Sequence, residues 1–555
     1  MRILTVIVAV LLSLFSTAVM SYISMAIPVG PWIAPTLALI AIVLFGIFCR
    51  ARHNCSQQIA LATIGGSVGG ILATALGFYF TTLYFLDADL FNLWLENPKY
   101  FMFVISGISL TAGVFGIWVA NIFEQKLIYK DKLSFPVAEL VNKTIFAQKQ
   151  ARKSLELLFG FVSNTVFCFF RDGLGAYKSI IPTSITLVPK LQFFTFYIPA
   201  IRLDFWPMLW ALGFVTGHLV AIPLAVGVIS KIMLVRPIHD LAFKDVAWME
   251  FMITFCSGMV LASAIFGLFK TPKALFQSIK NSFKKKKLSP AFQVDQDGQS
   301  NQPVQADQPK KSFFAKTNVI ETIIMSALFF GFLTYFKFSF LSQLYIFLFS
   351  FICTYQISII AGKIGLAPMG KFATFVMVPA LFIFSLDYVQ VVLIATFVGV
   401  CCGVVADILF GRKIAQLADI SVSKVKFYQY LGVIVSSLFV GVVFLFLIKH
   451  FQLGSKQLFA IRAQNRWMLI NTLKNATSFN YYVLILGVIF GFVLSKARVS
   501  PLLVLGGLFM PINITLGLVI GGIGALFVKN RERMYPFWSG VYAAGSIWML
   551  IRAIF

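Results

Sequence analysis

Apolar runs long enough to cross a lipid bilayer recur along all 555 residues of the chain. A spanning helix needs about 20 mostly apolar residues, whereas a strand of a membrane barrel needs only about 9–11. Because 59% of the residues are hydrophobic and 12% are charged, too little polar sequence is present to cover several soluble domains. The sequence therefore excludes a water-soluble enzyme and predicts an all-α, polytopic helical integral membrane protein.

The length of these runs predicts about 12–16 transmembrane helices in two halves, with broken helices near the midplane. The segment 179–200 is apolar but interrupted by three prolines. The predicted spans are 3–25, 32–49, 59–85, 100–123, 155–170, 322–335, 340–360, 372–384, 389–409, 427–448, 481–494, 502–527 and 537–555.

A polar stretch, 270–316, separates the two apolar halves. It contains four consecutive lysines and then a run rich in Gln, Asp, Pro and Ser, a composition typical of disorder. We therefore expect an N-terminal transmembrane half at 1–269, a basic, disordered linker at 270–316 and a C-terminal transmembrane half at 317–555. Positive residues stay on the cytoplasmic side, so we place the linker and the N-terminus in the cytoplasm of a multi-pass protein of the cell (plasma or inner) membrane.

The formal net charge of +26 is scattered between apolar spans. It forms no basic face interleaved with aromatic residues, so we expect a lipid bilayer and no nucleic acid as partner. The stretch 449–474 places Arg462 and Arg466 among apolar residues, and we interpret it as amphipathic sequence at the membrane interface.

Two apolar segments carry residues that interrupt helices. The segment 205–235 is too long for one crossing and contains prolines and glycines, including Gly213 and Gly217. Half-helices or a re-entrant hairpin would explain its length, because broken backbone is tolerated in membranes only beside protein or a water-filled cavity. The segment 502–527 contains Pro511, followed by Asn513 and Thr515. We expect the substrate cavity at these two segments.

Ionisable residues in apolar spans are costly and usually face a cavity. Asp204 precedes the first broken segment, His218 lies inside it, and Asp407 lies near the end of another span. All three are candidates for proton coupling. For Asp407 the alternative is an interfacial residue that marks a helix end, as we also expect for Asp387.

No motif for a soluble cofactor is present. The glycine-rich pieces at 65–70 and 521–524 lack the Lys-Ser/Thr ending of a nucleotide loop and indicate close helix contacts instead. The four histidines show no metal-ligand spacing, so we expect neither a cofactor nor a metal site.

Four motifs follow one another along the chain. They are Leu133-Ser134-Phe135-Pro136, Ala361-Gly362-Lys363-Ile364-Gly365-Leu366-Ala367-Pro368, Gly506-Gly507-Leu508-Phe509-Met510-Pro511 and Ala543-Ala544-Gly545. In this order they resemble the oligopeptide transporter (OPT / yellow stripe-like) family. One difference is Ser546, which stands where many members have glutamate after the last motif.

The resemblance implies a secondary active transporter that couples substrate movement to protons. Its substrates would be short oligopeptides or metal complexes of small chelators, and assembly into homo-oligomers is left open. The alternatives are an integral-membrane enzyme acting on lipid-linked substrates, for which the sequence offers no cluster of acids or histidines, and a passive channel. Candidate residues of the substrate pathway are Gly213, Gly217, Gly362, Lys363, Pro368, Pro511, Asn513 and Thr515.

Overall fold

The structure of the chain is a computed structural model. It describes residues 2–26, 32–48, 55–147, 151–173, 177–189, 191–193, 196–198, 201–248, 250–252, 254–256, 258–259, 262, 319–455, 458, 460–474, 480–497, 499–509, 511–528 and 531–554. The predicted linker 270–316 lies outside the described residues.

Helices dominate the described part of the chain. Their bounds are α1 Arg2–Ala26, α2 Ala34–Phe48, α3 Cys55–Tyr79, α4 Thr82–Leu86, α5 Ala88–Glu96, α6 Pro98–Glu124, α7 Pro136–Ala147, α8 Ala151–Asp172, α9 Pro207–Thr216, α10 His218–Ser230, α11 Arg236–Ala242, α12 Val319–Tyr335, α13 Phe340–Ile364, α14 Met369–Ile383, α15 Tyr388–Leu417, α16 Val422–Phe451, α17 Ile461–Lys474, α18 Tyr481–Lys496, α19 Pro501–Phe509, α20 Ile512–Gly524 and α21 Tyr535–Ile554. One π-helical turn, Gln125–Lys130, extends α6, and another, Lys231–Val235, joins α10 to α11.

Seven of the described helical stretches are long and apolar enough to cross a membrane, and six shorter apolar helices accompany them. The longest include Pro98–Lys130 and Cys55–Leu86. This pattern confirms a polytopic helical membrane protein.

Short polar residues begin several helices. The Asp87 carboxylate accepts a hydrogen bond from the Leu90 amide at 3.0 Å and caps α5. Asp387 caps α15 in the same way, accepting from the Gln390 amide at 2.7 Å, while the Gln390 side chain accepts from the Asp387 amide. Such caps satisfy amides that have no partner within the helix, and the helix-end position predicted for Asp387 is confirmed.

The glycine-rich part of α3 packs closely against α1. A Cβ added at Gly66 would lie 2.7 Å from Leu12 Cβ, and one at Gly69 would lie 2.5 Å from Thr17 Oγ1. Small residues let helix backbones approach in this way in lipid, as the sequence predicts for residues 65–70. The neighbouring hydroxyls of Ser13 and Ser436 are 2.6 Å apart, so a helix of the predicted C-terminal half packs directly onto the N-terminal one.

The segment 179–200 and its surroundings form small antiparallel sheets. The strands are β1 Ser184–Val188, β2 Leu191–Phe193, β3 Phe196–Ile198 and β4 Ile201–Asp204, with β1 paired to β4 and β2 to β3. These strands were not predicted. Prolines at 182, 189 and 199 disfavour a helix, and the β-branched residues of β1 favour a strand.

Candidate functional site

The first predicted broken segment is a helical hairpin. Helix α9 ends at Thr216, Gly217 adopts φ +70°, and α10 begins at His218. If α9 and α10 continued in one direction, Asp204 and Lys231 would be about 40 Å apart at 1.5 Å per residue. Both residues instead line one cavity, so the chain reverses at Gly217. The positive φ explains the glycine, because other residues are strained there.

The second predicted broken segment packs against this hairpin. Helix α19 ends at Phe509, and α20 begins at Ile512 after Pro511. A Cβ at Gly213 would come within 3.0 Å of the carbonyl oxygen of Leu518, and one at Gly521 equally close to that of Trp210. The close approach of α9 and α20 therefore depends on glycine on both sides, and the two broken segments form one unit.

A cavity of about 450 Å³ lies at the ends of this unit. Its volume is in the usual range for small-molecule sites, about 300–1,000 Å³. It is lined by Ser184, Arg202, Asp204, Lys231, Ile232, Arg236, Trp248, Ile512 and Asn513.

Asp204 and Asn513 connect the two broken segments at the cavity. The Asn513 side-chain amide donates a hydrogen bond to Asp204 Oδ2. Asp204 is the last residue of β4 and is paired in register with Ser184, so the small sheet fixes its backbone. The structure thus brings together two candidates that were selected independently from the sequence.

The cavity is rich in positive charge. Its described lining contains three cationic side chains and one carboxylate, that of Asp204. The Arg236 guanidinium lies 4.6 Å from the ring centroid of Trp248 and donates a hydrogen bond to Asp240 at 3.2 Å. A cationic, partly aromatic lining suits a ligand that carries a carboxylate.

His218 lies at the tip of the hairpin, away from Asp204. Its Nδ1 is buried and has no hydrogen-bond partner in the described part of the chain. The 10 residues of α9 separate it from Asp204 by about 15 Å, so the two side chains do not act on the same atom. A Cβ at the neighbouring Gly217 would lie 2.6 Å from Arg531 Nη1, which places a cation beside the tip.

Asp407 lies inside α15 and is not part of the cavity lining. It is 3% exposed and accepts a hydrogen bond from Ser67 Oγ at 2.8 Å. Helix α15 continues for ten residues beyond it, to Leu417, so the interpretation of Asp407 as a helix-end residue is wrong. Arg412, five residues further along α15, is also buried and has buried partners.

Arg412 forms a buried polar network that the sequence did not reveal. Its guanidinium is paired with Glu124 and donates hydrogen bonds to Asn121 Oδ1 at 2.6 Å and Gln429 Oε1 at 3.2 Å. Asn121 in turn donates to Glu321 at 2.9 Å. These contacts join α6, α12, α15 and α16 and satisfy a charge that would otherwise be costly in the membrane.

Three further candidates lie around the connection between α13 and α14. The Gly362 carbonyl accepts hydrogen bonds from the Phe135 amide at 2.8 Å and Ser134 Oγ at 3.3 Å. Lys363 is half-buried in the last turn of α13, and Pro368 precedes α14. None of the three lines the cavity, and Gly362 binds the 133–136 motif to α13.

At the start of α20, Thr515 is fully buried and Pro511 is exposed. Thr515 Oγ1 donates a hydrogen bond to the Pro511 carbonyl at 3.3 Å. The same carbonyl also accepts the Thr515 backbone amide at 3.1 Å, so both contacts fix the first turn of α20 after the break.

Arg466 is buried, contrary to its predicted interfacial position. It is 8% exposed, and α17 turns this side chain toward the protein. Tyr79 is the reason, since its ring lies 4.3 Å from the guanidinium.

Among the described residues, no three His, Cys, Asp or Glu side chains come close enough to hold a metal ion.

Comparison with known proteins assigns the family. The family model described as OPT oligopeptide transporter protein matches residues 3–555, essentially the whole chain. Comparison with curated proteins finds no significant match. The resemblance seen in the sequence motifs is confirmed, and the chain belongs to the OPT oligopeptide transporter family.

Proposed function

We propose that this transporter moves short oligopeptides together with protons and that the cavity at Asp204 and Asn513 receives the substrate. The observation that carries the proposal is the contact between these two side chains, which joins the broken segments at a cavity of about 450 Å³. Broken helices pack around the substrate site in many secondary transporters because their free backbone groups and helix ends bind polar ligands.

Asp204 is the proposed proton acceptor at the substrate. Its carboxylate lies among cations in the cavity lining and would be in direct reach of a bound substrate. Asp407 and His218 are further candidates at separate positions. Asp407 has one hydroxyl partner, Ser67, and no ion pair in the described structure.

Metal complexes of small chelators are a second proposed cargo. The cationic lining favours this class, because such chelates carry carboxylates. We further propose the arrangement of two halves joined by a cytoplasmic linker in a cell membrane. The positive charge of 270–316 supports this orientation.

The test is uptake by the purified protein in liposomes with an imposed inward proton gradient. One arm offers a pool of tri- to pentapeptides and the other a ferric chelate. We expect at least one cargo to accumulate above equilibrium and the accumulation to collapse with a protonophore. Equilibration without accumulation would support a passive channel, and no movement of either cargo by folded protein would contradict the proposal.

Asp204→Asn is the matched variant, and Asp387→Asn is its control. Asparagine caps a helix as well as aspartate does, so the Asp387 variant retains the cap of α15 and should transport like the wild type. We expect Asp204→Asn to fold but to lose proton-driven accumulation. Accumulation at the wild-type rate would refute the role of Asp204.

A further inference from the structure

Three cationic side chains surround the start of α14. A Cβ at Gly370 would lie 3.6 Å from Arg462 Nη1, 3.6 Å from the Tyr79 hydroxyl and 4.0 Å from Arg466 Nη2. Lys371 is the next residue of α14. Together, Lys371, Arg462 and Arg466 form what we call the cationic cluster. The first turn of a helix adds partial positive charge from its free amides.

Arg466 is the innermost member of the cationic cluster and is incompletely satisfied. It is 8% exposed, and its Nε has no hydrogen-bond partner in the described part of the chain. Its other nitrogens make long hydrogen bonds to the carbonyls of Phe78 at 3.3 Å and Gly370 at 3.4 Å, and the guanidinium also interacts with the Tyr79 hydroxyl. The described structure contains no ion pair of Arg466. A buried guanidinium with a free donor is costly unless an anion binds it.

Aromatic rings fix both arginines in position. The Arg466 guanidinium lies 4.3 Å from the ring centroid of Tyr79, and that of Arg462 lies 4.8 Å from the ring centroid of Phe78. Tyr79 is 1% exposed and packs on Gly399, where a Cβ would overlap its ring. Stacking of this kind orients a guanidinium, and the Nε of Arg466 remains a donor for a ligand.

The cationic cluster is open to a ligand and is close to the cavity. Arg462 is exposed and Lys371 half-buried, so an anion can reach Arg466 past them. The charge of Lys371 interacts with those of Arg462, Arg466 and Lys231. Lys231 also lines the cavity of Asp204.

We propose that Arg462, Arg466 and Lys371 bind the carboxylate of the transported substrate. The guanidinium groups would donate paired hydrogen bonds to the two carboxylate oxygens, and Lys371 would add charge. The carboxylate is either the C-terminus of a peptide or an acid group of a chelate. This inference rests on the proposed function, because it names the group by which that transporter recognises its cargo.

The first experiment changes the substrate and leaves the protein intact. Uptake of one tripeptide is compared as the free acid and as the C-terminal amide, in the proton-driven liposome assay with wild-type protein. Loss of a charge-assisted hydrogen bond costs roughly 1.5–3 kcal/mol, so the amide should need a roughly ten- to hundredfold higher half-saturating concentration. Equal uptake of both peptides, together with no competition by a ferric chelate, overturns the carboxylate site while the proposed function stands. No uptake of either peptide or of a ferric chelate contradicts the proposed function itself.

The second experiment changes the protein. Arg462→Gln and Arg466→Gln should raise the half-saturating concentration of the free acid and remove its preference over the amide. Arg466→Lys keeps the charge without the paired donors and should restore part of the preference. Lys424→Gln removes an exposed cation at the start of α16 and is the matched control, with wild-type behaviour expected. An unchanged preference in Arg462→Gln, the exposed and most tolerant position, would overturn the assignment.

A ferric polycarboxylate chelate distinguishes the two sources of the carboxylate. If the chelate competes with uptake of the free-acid tripeptide in the wild type but not in Arg462→Gln, the two cargoes share one site. Preference for the free-acid peptide without competition assigns the cationic cluster to peptides. Competition by the chelate without any acid-over-amide preference assigns it to chelates.

Discussion

Gly522 lies where α20 meets the tip of the helical hairpin. A methyl group and backbone atoms of the hairpin lie directly against it. A Cβ at this position would lie 2.6 Å from Ala221 Cβ and 3.0 Å from the carbonyl oxygen of Gly217. Neither neighbour can rotate away. Ordinary contact begins at 3.4 Å, so Gly522→Ala should push α20 and the hairpin apart by about 0.8 Å, the difference between 3.4 and 2.6 Å.

Overpacking of this size costs roughly 1–3 kcal/mol, and we expect the upper part of that range because both neighbours are rigid. The matched control is Gly524→Ala, two residues further along the same helix, where a Cβ would meet nothing within 4 Å. Alanine is the better helix former, so the control should be as stable as the wild type or more so.

The assay is thermal unfolding of the detergent-solubilised protein, followed by the loss of the monodisperse peak in size-exclusion chromatography. Gly522→Ala should unfold at a lower temperature than Gly524→Ala and should also transport more slowly, since a displaced α20 moves Asn513 away from Asp204. Equal unfolding temperatures for the two variants would refute the close contact between α20 and the hairpin.

Two further predictions concern buried charges on α15. Arg412→Gln leaves Glu124 buried without its cation and should destabilise the protein by roughly 3–5 kcal/mol, and adding Glu124→Gln should recover part of this loss in thermal unfolding. If Arg412→Gln alone is as stable as the wild type, the result contradicts the buried ion pair between Arg412 and Glu124. Asp407→Asn keeps an acceptor for Ser67, so we expect unchanged unfolding but a flatter dependence of uptake on external pH; an identical pH profile would exclude Asp407 from proton coupling.

The broken segments could be predicted because their cause is local. Proline removes a backbone donor and glycine permits positive φ, so the interruptions near Gly217 and Pro511 are visible in the sequence. The reversal at Gly217 could not be chosen over a straight, interrupted helix, because both have the same local pattern. The difference arises from packing against α20, which the sequence does not specify.

The pairing of polar residues could not be predicted. Asp204 and Asn513 were each identified by position, but they are 309 residues apart and nothing in one sequence joins them. Arg412 follows an apolar run, and an arginine at such a position usually marks the membrane surface, so the sequence does not indicate its burial. Its partner Glu124 is 288 residues away, and only the packing of α6 against α15 brings the charges together.

The most direct test of coupled transport is proton movement driven by the substrate alone. Purified protein is placed in liposomes that contain a pH-sensitive dye, with equal pH on both sides, and a concentrated free-acid tripeptide is added outside. Coupled transport predicts acidification of the interior that is absent in protein-free liposomes and lost in Asp204→Asn. Entry of labelled peptide without any change in internal pH would contradict proton coupling.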